Sequence, residues 1–510
     1  MKIIPTTLVF LLALSSPRAW GQSPAPTSVA SATPTFSVKS RLVVLDIAVQ
    51  DKQGHPVTSL AKDDFTILDN GVEQRVRSFD LPASHVLKGQ ATDASQKSLA
   101  ETPLTILLYD EINTAFEDAS VMRMAIQNYL KNQPKVMAQP TMLAALNDTG
   151  FQMLANYTQD PAVLTAALKA HKTSLPSRLL THDSESRLAD TFWALNQLAL
   201  ATRGMGQRKN IIWIGNGFPS IRVEQLEPAP KQMLTDAERE ITNLLLESRI
   251  SISKIDPRAN DSAATDYSVD NSGNAYVEGF DPYETLFSFN TFVQQTGGRY
   301  IYGRNDFEAV MTKTITNGSA YYTLSYSPSS SATGDDVPYH QISVRLRDPK
   351  LIATTRQGYY TDAGATPVSP DQTSLDQLGA AATSTMSYDA LQVKVVQFAR
   401  TSAAEAETAT CTIEVDGDAL HWQANEGGDS TADLLLAFAT FSDKGKMQTY
   451  NARRLALHVN KATQGAQALS HPAFRVETPL PANTSRLRLV VLQEGSGRMG
   501  STELSPIPAH

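Results

Sequence analysis

The stretch Thr105–Phe116 reads TILLYDEINTAF. With Leu104 it makes a near-continuous apolar run that stops at Asp110 and passes into a polar turn. Such a run, with no alternation, suits a strand covered on both faces, as in a parallel sheet flanked by helices. In open α/β sheets ligands bind beyond the carboxyl ends of the strands, so an acid at this point marks a candidate site. Whether Asp110 holds a metal, or only the remains of a metal site, is the question the rest of the chain has to answer.

Outward from this strand the rhythm is strand, helix, strand, helix. Met122, Ala125, Ile126, Tyr129 and Leu130 form one helical stripe, and Asn132-Gln133-Pro134 ends it. TMLAALN and FQMLANYT read as strands, and Asp160-Pro161 supplies an N-cap and an N1 proline for AVLTAALKA. Leu188, Phe192, Leu195 and Ala199 mark another helix, and RKNIIWIGNGFP a strand with a glycine-rich turn. Thr235 with Glu238 reads as a capping box opening a helix. ISISKIDP is a strand, Tyr283–Gln295 a helix closed by Gly297-Gly298, and RYIYG a short strand. The spacing predicts an α/β domain over 103–317, a doubly wound, mostly parallel sheet with flanking helices.

On both sides the pattern turns to β. Val43, Leu45, Ile47 and Val49 alternate, and Asn70-Gly71 between two short apolar runs is a strong hairpin signal. Residues 36–82 are therefore expected to be a small β unit, marginal alone and packed with the strands of a β extension at 318–361. Residues 83–102 and 362–380 read as linkers. Alternating strands separated by turn clusters over 381–510 predict a β-sandwich of immunoglobulin or fibronectin kind. Cys411 is the one cysteine in the chain and alternates with Ala409, Ile413 and Val415, which places it inward as a small hydrophobe.

The amino terminus has the form of an export signal. Met1-Lys2 is followed by the apolar run Leu8–Leu14, then Ala19 and Gly21, so residues 1–21 read as a signal peptide and 22–35 as a Pro/Ser/Thr-rich tether. The expected location is periplasmic, envelope-associated or secreted, with no membrane span after cleavage. The chain of 510 residues carries a net charge of −8 and no basic run, which argues against nucleic acid as a partner. The elbow G-x-S-x-G, the zinc motif H-E-x-x-H and the phosphate loop G-x-x-x-x-G-K-[ST] are all missing from the sequence. His182-Asp183 reads as an exposed polar pair and Asn260–Asp281 as a solvated acidic loop, the loop also as a candidate contact surface.

Seven segments, taken together and in order, resemble the von Willebrand factor type A (vWA) domain and, more narrowly, the bacterial, acidobacterial-type VWFA-related family. They are VVLDIAVQDKQGHPVTSLAKDDFTILDNGVEQRVRSF, LTILLYDEINT, GQRKNIIWIGNGFP, QQTGGRYI, YYTLSYSP, TRQGYY and RLRLVVLQEGSGRMGS. The resemblance implies a divalent cation, Mg²⁺ or Ca²⁺, at the carboxyl edge of the sheet. Asp-x-Ser-x-Ser, a loop threonine and a later aspartate would hold it, and a partner's carboxylate would complete its shell. Here Asp110 and Thr114 match, and Thr181 is the best loop threonine. Ile112 replaces the first serine and Asn216 the later aspartate.

One oxygen ligand and one charge are thus lost, and neutral ligands hold such ions poorly. The expectation is a degenerate metal site with no required cofactor. Without an ion, Asp110 would take its partners from the Thr114 hydroxyl and the N–H groups of the turn. The functional expectation is an exported, non-catalytic binding or adhesion-type protein. It would engage a protein or cell-surface partner through Asp110, Glu111, Asn113, Thr114 and Asn216. The competing readings are a purely structural envelope protein and a hydrolytic or redox enzyme without a recognisable motif.

Overall fold

The computed structural model describes residues 42–508 apart from 86–101, 115, 148–149, 174–183, 219, 257–267, 270–274, 277–285, 302–305, 329–338, 362–369, 404–405, 425–428 and 460–469. The signal segment, the tether, Thr181, His182-Asp183 and most of the acidic loop lie outside the described residues.

The centre is a mixed sheet. Its six principal strands are β1 (Leu104–Asp110), β2 (Thr141–Asn147), β3 (Gly150–Thr158), β4 (Lys209–Ile214), β5 (Ile250–Ile255) and β6 (Tyr300–Ile301). They lie in the order β3-β2-β1-β4-β5-β6, all parallel except the antiparallel edge strand β3. This is the doubly wound order, with its switch point between β1 and β4. Every residue of β1, β2 and β4 is buried. Side chains alternate between two cores, as the period of two requires. Ile106, Leu108 and Trp213 face one and Leu107, Tyr109 and Ile212 the other.

Helices α1 (Phe116–Lys131), α2 (Pro161–Ala170), α3 (Ser184–Thr202), α4 (Pro228–Glu247), α5 (Phe289–Gln295) and α6 (Phe307–Ser319) cover these faces. Met122, Ile126, Leu164 and Met311 of α1, α2 and α6 close one core, and Leu195, Leu198, Leu244 and Phe292 of α3, α4 and α5 the other. No helix among the described residues is long and apolar enough to cross a membrane.

Two helix starts differ from the sequence reading. Helix α4 begins at Pro228, and Thr235 sits inside it, its hydroxyl donating to the Lys231 carbonyl at 3.0 Å. Pro at N1 outweighs the capping-box pattern seven residues later. Helix α5 begins at Phe289, where the Ser288 side chain accepts from Thr291 N.

The amino-terminal strands do not form a unit of their own. Val43–Gln50 lies between Tyr321–Tyr326 and Ile352–Thr354, and Phe65–Asp69 between Tyr339–Leu346 and Val72–Gln74. The hairpin at Asn70-Gly71 has φ of 48° and 78°, both in the left-handed region the tight turn needs.

The carboxyl-terminal part has a three-stranded and a five-stranded sheet around a core that includes Cys411, Ile413, Leu434 and Val491. Burial pushes the Cys411 thiol up to about 11. The supposed linker at 362–380 is in part a helix, α7 (Pro370–Thr383). Its Leu378, Ala381 and Ala382 are buried in the same core as Leu198 of α3, together with Leu435 and Val490 of the five-stranded sheet. Tyr388 donates to Gln197 Oε1 at 2.8 Å, and the buried Arg488 donates to the carbonyls of Ala381 and Met386. Helix α7 and one face of the five-stranded sheet therefore share the α/β core, while the other face, with Leu434 and Val491, belongs to the carboxyl-terminal core.

Candidate functional site

Strand β1 delivers Asp110 to the carboxyl edge with no solvent exposure. Four N–H groups surround its carboxylate. Asn113 N donates to Oδ1 at 3.1 Å and Asn113 Nδ2 at 3.2 Å, while Trp213 Nε1 donates to Oδ2 at 3.0 Å and Gly217 N at 2.9 Å. Burial raises the carboxyl above its ordinary value, and these donors oppose that shift by stabilising the charged form. The Asn113 amide also donates to Thr191 Oγ1 of α3 at 3.2 Å, which ties the turn to the neighbouring helix.

The loop after β4 is shaped around this carboxylate. A Cβ on Gly215 would stand 2.7 Å from both Asp110 Cβ and Thr114 Oγ1, and its φ is +145°. A Cβ on Gly217 would stand 2.0 Å from the Phe289 ring. The two glycines of GNGF let the loop close on Asp110 from above. Asn216 between them donates its backbone N–H to Thr114 Oγ1 at 3.2 Å. Its side chain is half-buried, and its buried Oδ1 accepts no hydrogen bond from a described residue.

The Thr114 oxygen therefore serves the loop, not Asp110 as the sequence reading expected. The turn's own contribution comes from Asn113. Trp213 was missed, because in the apolar strand KNIIWI it reads as core alone.

Ile112 is 4% exposed and belongs to the hydrophobic core, which is why no hydroxyl stands there. The residues present do not fit a divalent ion. Both oxygens of Asp110 and the oxygen of Thr114 already accept N–H groups, and position 112 offers no oxygen. Among the described residues no three His, Cys, Asp or Glu side chains come together as a ligand set.

Two further charge pairs at this edge are matched among the described residues. Glu111 Oε1 lies 2.7 Å from His171 Nε2, with both side chains nearly inaccessible, and this contact joins the turn to the end of α2. Lys254 Nζ lies 3.6 Å from Asp256 Oδ2 and 4.7 Å from the Tyr300 ring centre, and donates to Asn290 Oδ1 at 3.1 Å. A Lys and an Asp two residues apart on the strand ISISKIDP were the sequence signal for that cluster. Of the five residues expected to meet a partner, Asp110, Glu111, Asn113 and Thr114 are buried. They build the edge, and only Asn216 keeps partial exposure.

No family model matches the chain, and no curated protein matches it. Among solved structures it is similar to the manganese-loaded TRAP protein of Plasmodium vivax, at 10% identity and a TM-score of 0.23, over 51% of this chain and 96% of that one. It is also similar to the VWA domain of SpRpn10, at 13% identity and a TM-score of 0.16, over 31% of this chain and 89% of that one. A Bacteroides uniformis beta-glucuronidase is matched at 13% identity and a TM-score of 0.14, over 37% of this chain and 19% of that one. Scores of this size carry no functional inference.

Proposed function

We propose that this chain is an exported, non-catalytic binding protein of vWA-like kind. Its carboxyl sheet edge would engage a protein or surface partner without a divalent cation. The observation that supports this reading best is the shell of four N–H donors around the Asp110 carboxylate, which occupies the position the resemblance gives to a metal. A buried carboxylate is costly without partners, and here the protein itself supplies them. The edge is therefore preorganised, and the loop carrying Asn216 is the contact surface. The matched charges at Glu111 and Asp256 agree with a binding edge, since general acid–base chemistry needs a group free to reach a substrate proton.

Capture from envelope extract by the full chain tests this. Wild type and Asn216→Arg are compared, each with EDTA and with millimolar Mg²⁺. The reading expects one specific partner whose capture ignores EDTA and is lost in Asn216→Arg. Capture that needs Mg²⁺, or that Asn216→Arg leaves unchanged, contradicts it. Amino-terminal sequencing of the mature protein, expected to begin near Gln22, tests export.

A further inference from the structure

The opposite edge of the sheet holds a second feature. Where β4 begins, a cavity of about 130 Å³ lies between the sheet, α6 and the strand Val43–Gln50. Its polar lining is satisfied only in part from within the protein: Asn210, Arg299 and Lys313 donate to Gly318 O, Thr354 Oγ1 and Gln53 O. The side chains of Gln50 and Asn317 are 3% and 8% exposed and make no hydrogen bond to a described residue. Arg208 is 4% exposed. Its Nε donates to Asn210 Oδ1 at 2.9 Å and its Nη1 to the Asp46 carbonyl at 3.4 Å, while Nη2 bonds no described residue.

Buried polar groups in native structures nearly always have a partner, protein or water, so a lining of this kind indicates that the space is filled by solvent or by a bound group. The charge balance indicates its sign. Arg208, Arg299 and Lys313 line the cavity against one carboxylate, Asp306. Asp46, which attracts Arg208, is already held by Arg249 and Thr323. A water molecule needs roughly 10–15 Å³ of such space, so the cavity has room for a group several times larger. A guanidinium and two side-chain amides lining one space can supply the N–H donors that a tetrahedral oxyanion takes.

We propose that this cavity binds a small inorganic oxyanion of phosphate or sulfate size, with Arg208, Gln50 and Asn317 as inner donors and Lys313 at the rim. Bound there, the anion would bridge the amino-terminal strands and the α/β core. This site is independent of the Asp110 edge.

Titration calorimetry of the full chain with inorganic phosphate, sulfate and chloride at equal ionic strength tests the proposal. Saturable binding of phosphate or sulfate, without binding of chloride, is expected. Gln50→Leu and Asn317→Leu should each weaken it about tenfold or more, the usual loss for one hydrogen bond to a charged group. Lys313→Gln, at an exposed position whose ammonium also donates to the Gln53 carbonyl at 3.4 Å, should weaken it about threefold or more, on the scale of a partly screened charge contact. It carries the test if either leucine variant fails to fold. No saturable binding of phosphate or sulfate overturns the proposal, as does unchanged affinity in folded variants.

Discussion

The indole Nε1 of Trp213 donates to Asp110 Oδ2 at 3.0 Å, and neither side chain reaches solvent. This contact joins β1 to β4 across the switch point of the sheet. The Trp213 ring also packs on Phe289, with centroids 4.7 Å apart. Trp213→Phe would keep an aromatic ring and remove the donor. A hydrogen bond to a charged group is worth about 1.5–3 kcal/mol, and a loss of that size is expected. Urea unfolding should show a lower midpoint with an unchanged slope. A double-mutant cycle with Asp110→Asn should show coupling between the two. Additive effects would mean that Asp110 is held by other groups.

Lys209 opens β4 with no solvent exposure and no carboxylate partner in contact among the described residues. Its Nζ donates to the carbonyls of Thr202, Met205 and Ser248 at 3.1, 2.7 and 2.9 Å. These lie at the carboxyl ends of α3 and α4, where a cation meets the negative end of the helix dipole. Burial holds the amine well below its ordinary value. Lys209→Met would take the donor from the Met205 and Ser248 carbonyls, while the Thr202 carbonyl keeps the Met205 N–H at 3.2 Å. A loss of about 3 kcal/mol or more is expected in equilibrium unfolding. A loss under about 1 kcal/mol, the worth of one ordinary hydrogen bond, would contradict this account.

Glu238 on α4 is pushed up to about 7 by burial, against hydrogen bonds from Tyr360 and Gln295 that favour its charged form. Its folded value thus lies above the ordinary 4.5. The stability it contributes is fully present below about 4.5 and is lost as pH rises through about 7. Glu238→Gln cannot titrate. Relative to wild type, the variant should therefore gain stability between pH 4.5 and pH 8. Unfolding of both proteins by urea across that range measures the difference, and a constant difference contradicts the assignment.

The central sheet was legible because its strands are covered on both faces, which leaves near-continuous apolar runs such as LTILLYD. The hairpin at Asn70-Gly71 was legible from turn chemistry alone. Helix α7 was not, because Gly379, Ala380 and Ala381 look like linker composition until a neighbour is there to pack on. The start of α4 was misplaced because Thr235 and Glu238 satisfy a local pattern while Pro228 begins the helix a full two turns earlier. At the site, Asp110, Thr114 and Asn216 were placed together by the resemblance, and the structure brings them within one hydrogen-bonded loop pair. That a tryptophan indole would complete the carboxylate's shell depends on the register between β1 and β4, which pairs Leu108 with Trp213 and no local pattern encodes.

The central claim is that hydrogen bonds, not a metal, hold Asp110. The most direct measurement is the thermal melt of the full chain in EDTA and then in millimolar Mg²⁺, Mn²⁺ or Ca²⁺, for wild type and Asp110→Ala. A ligand at a hundred times its Kd adds about 2.7 kcal/mol of stability, an effect readily seen in a melt. The account predicts no shift in wild type with any ion, and a lower Tm for Asp110→Ala already in EDTA. A rise in the wild-type Tm with one of these ions, abolished by Asp110→Ala, would contradict it.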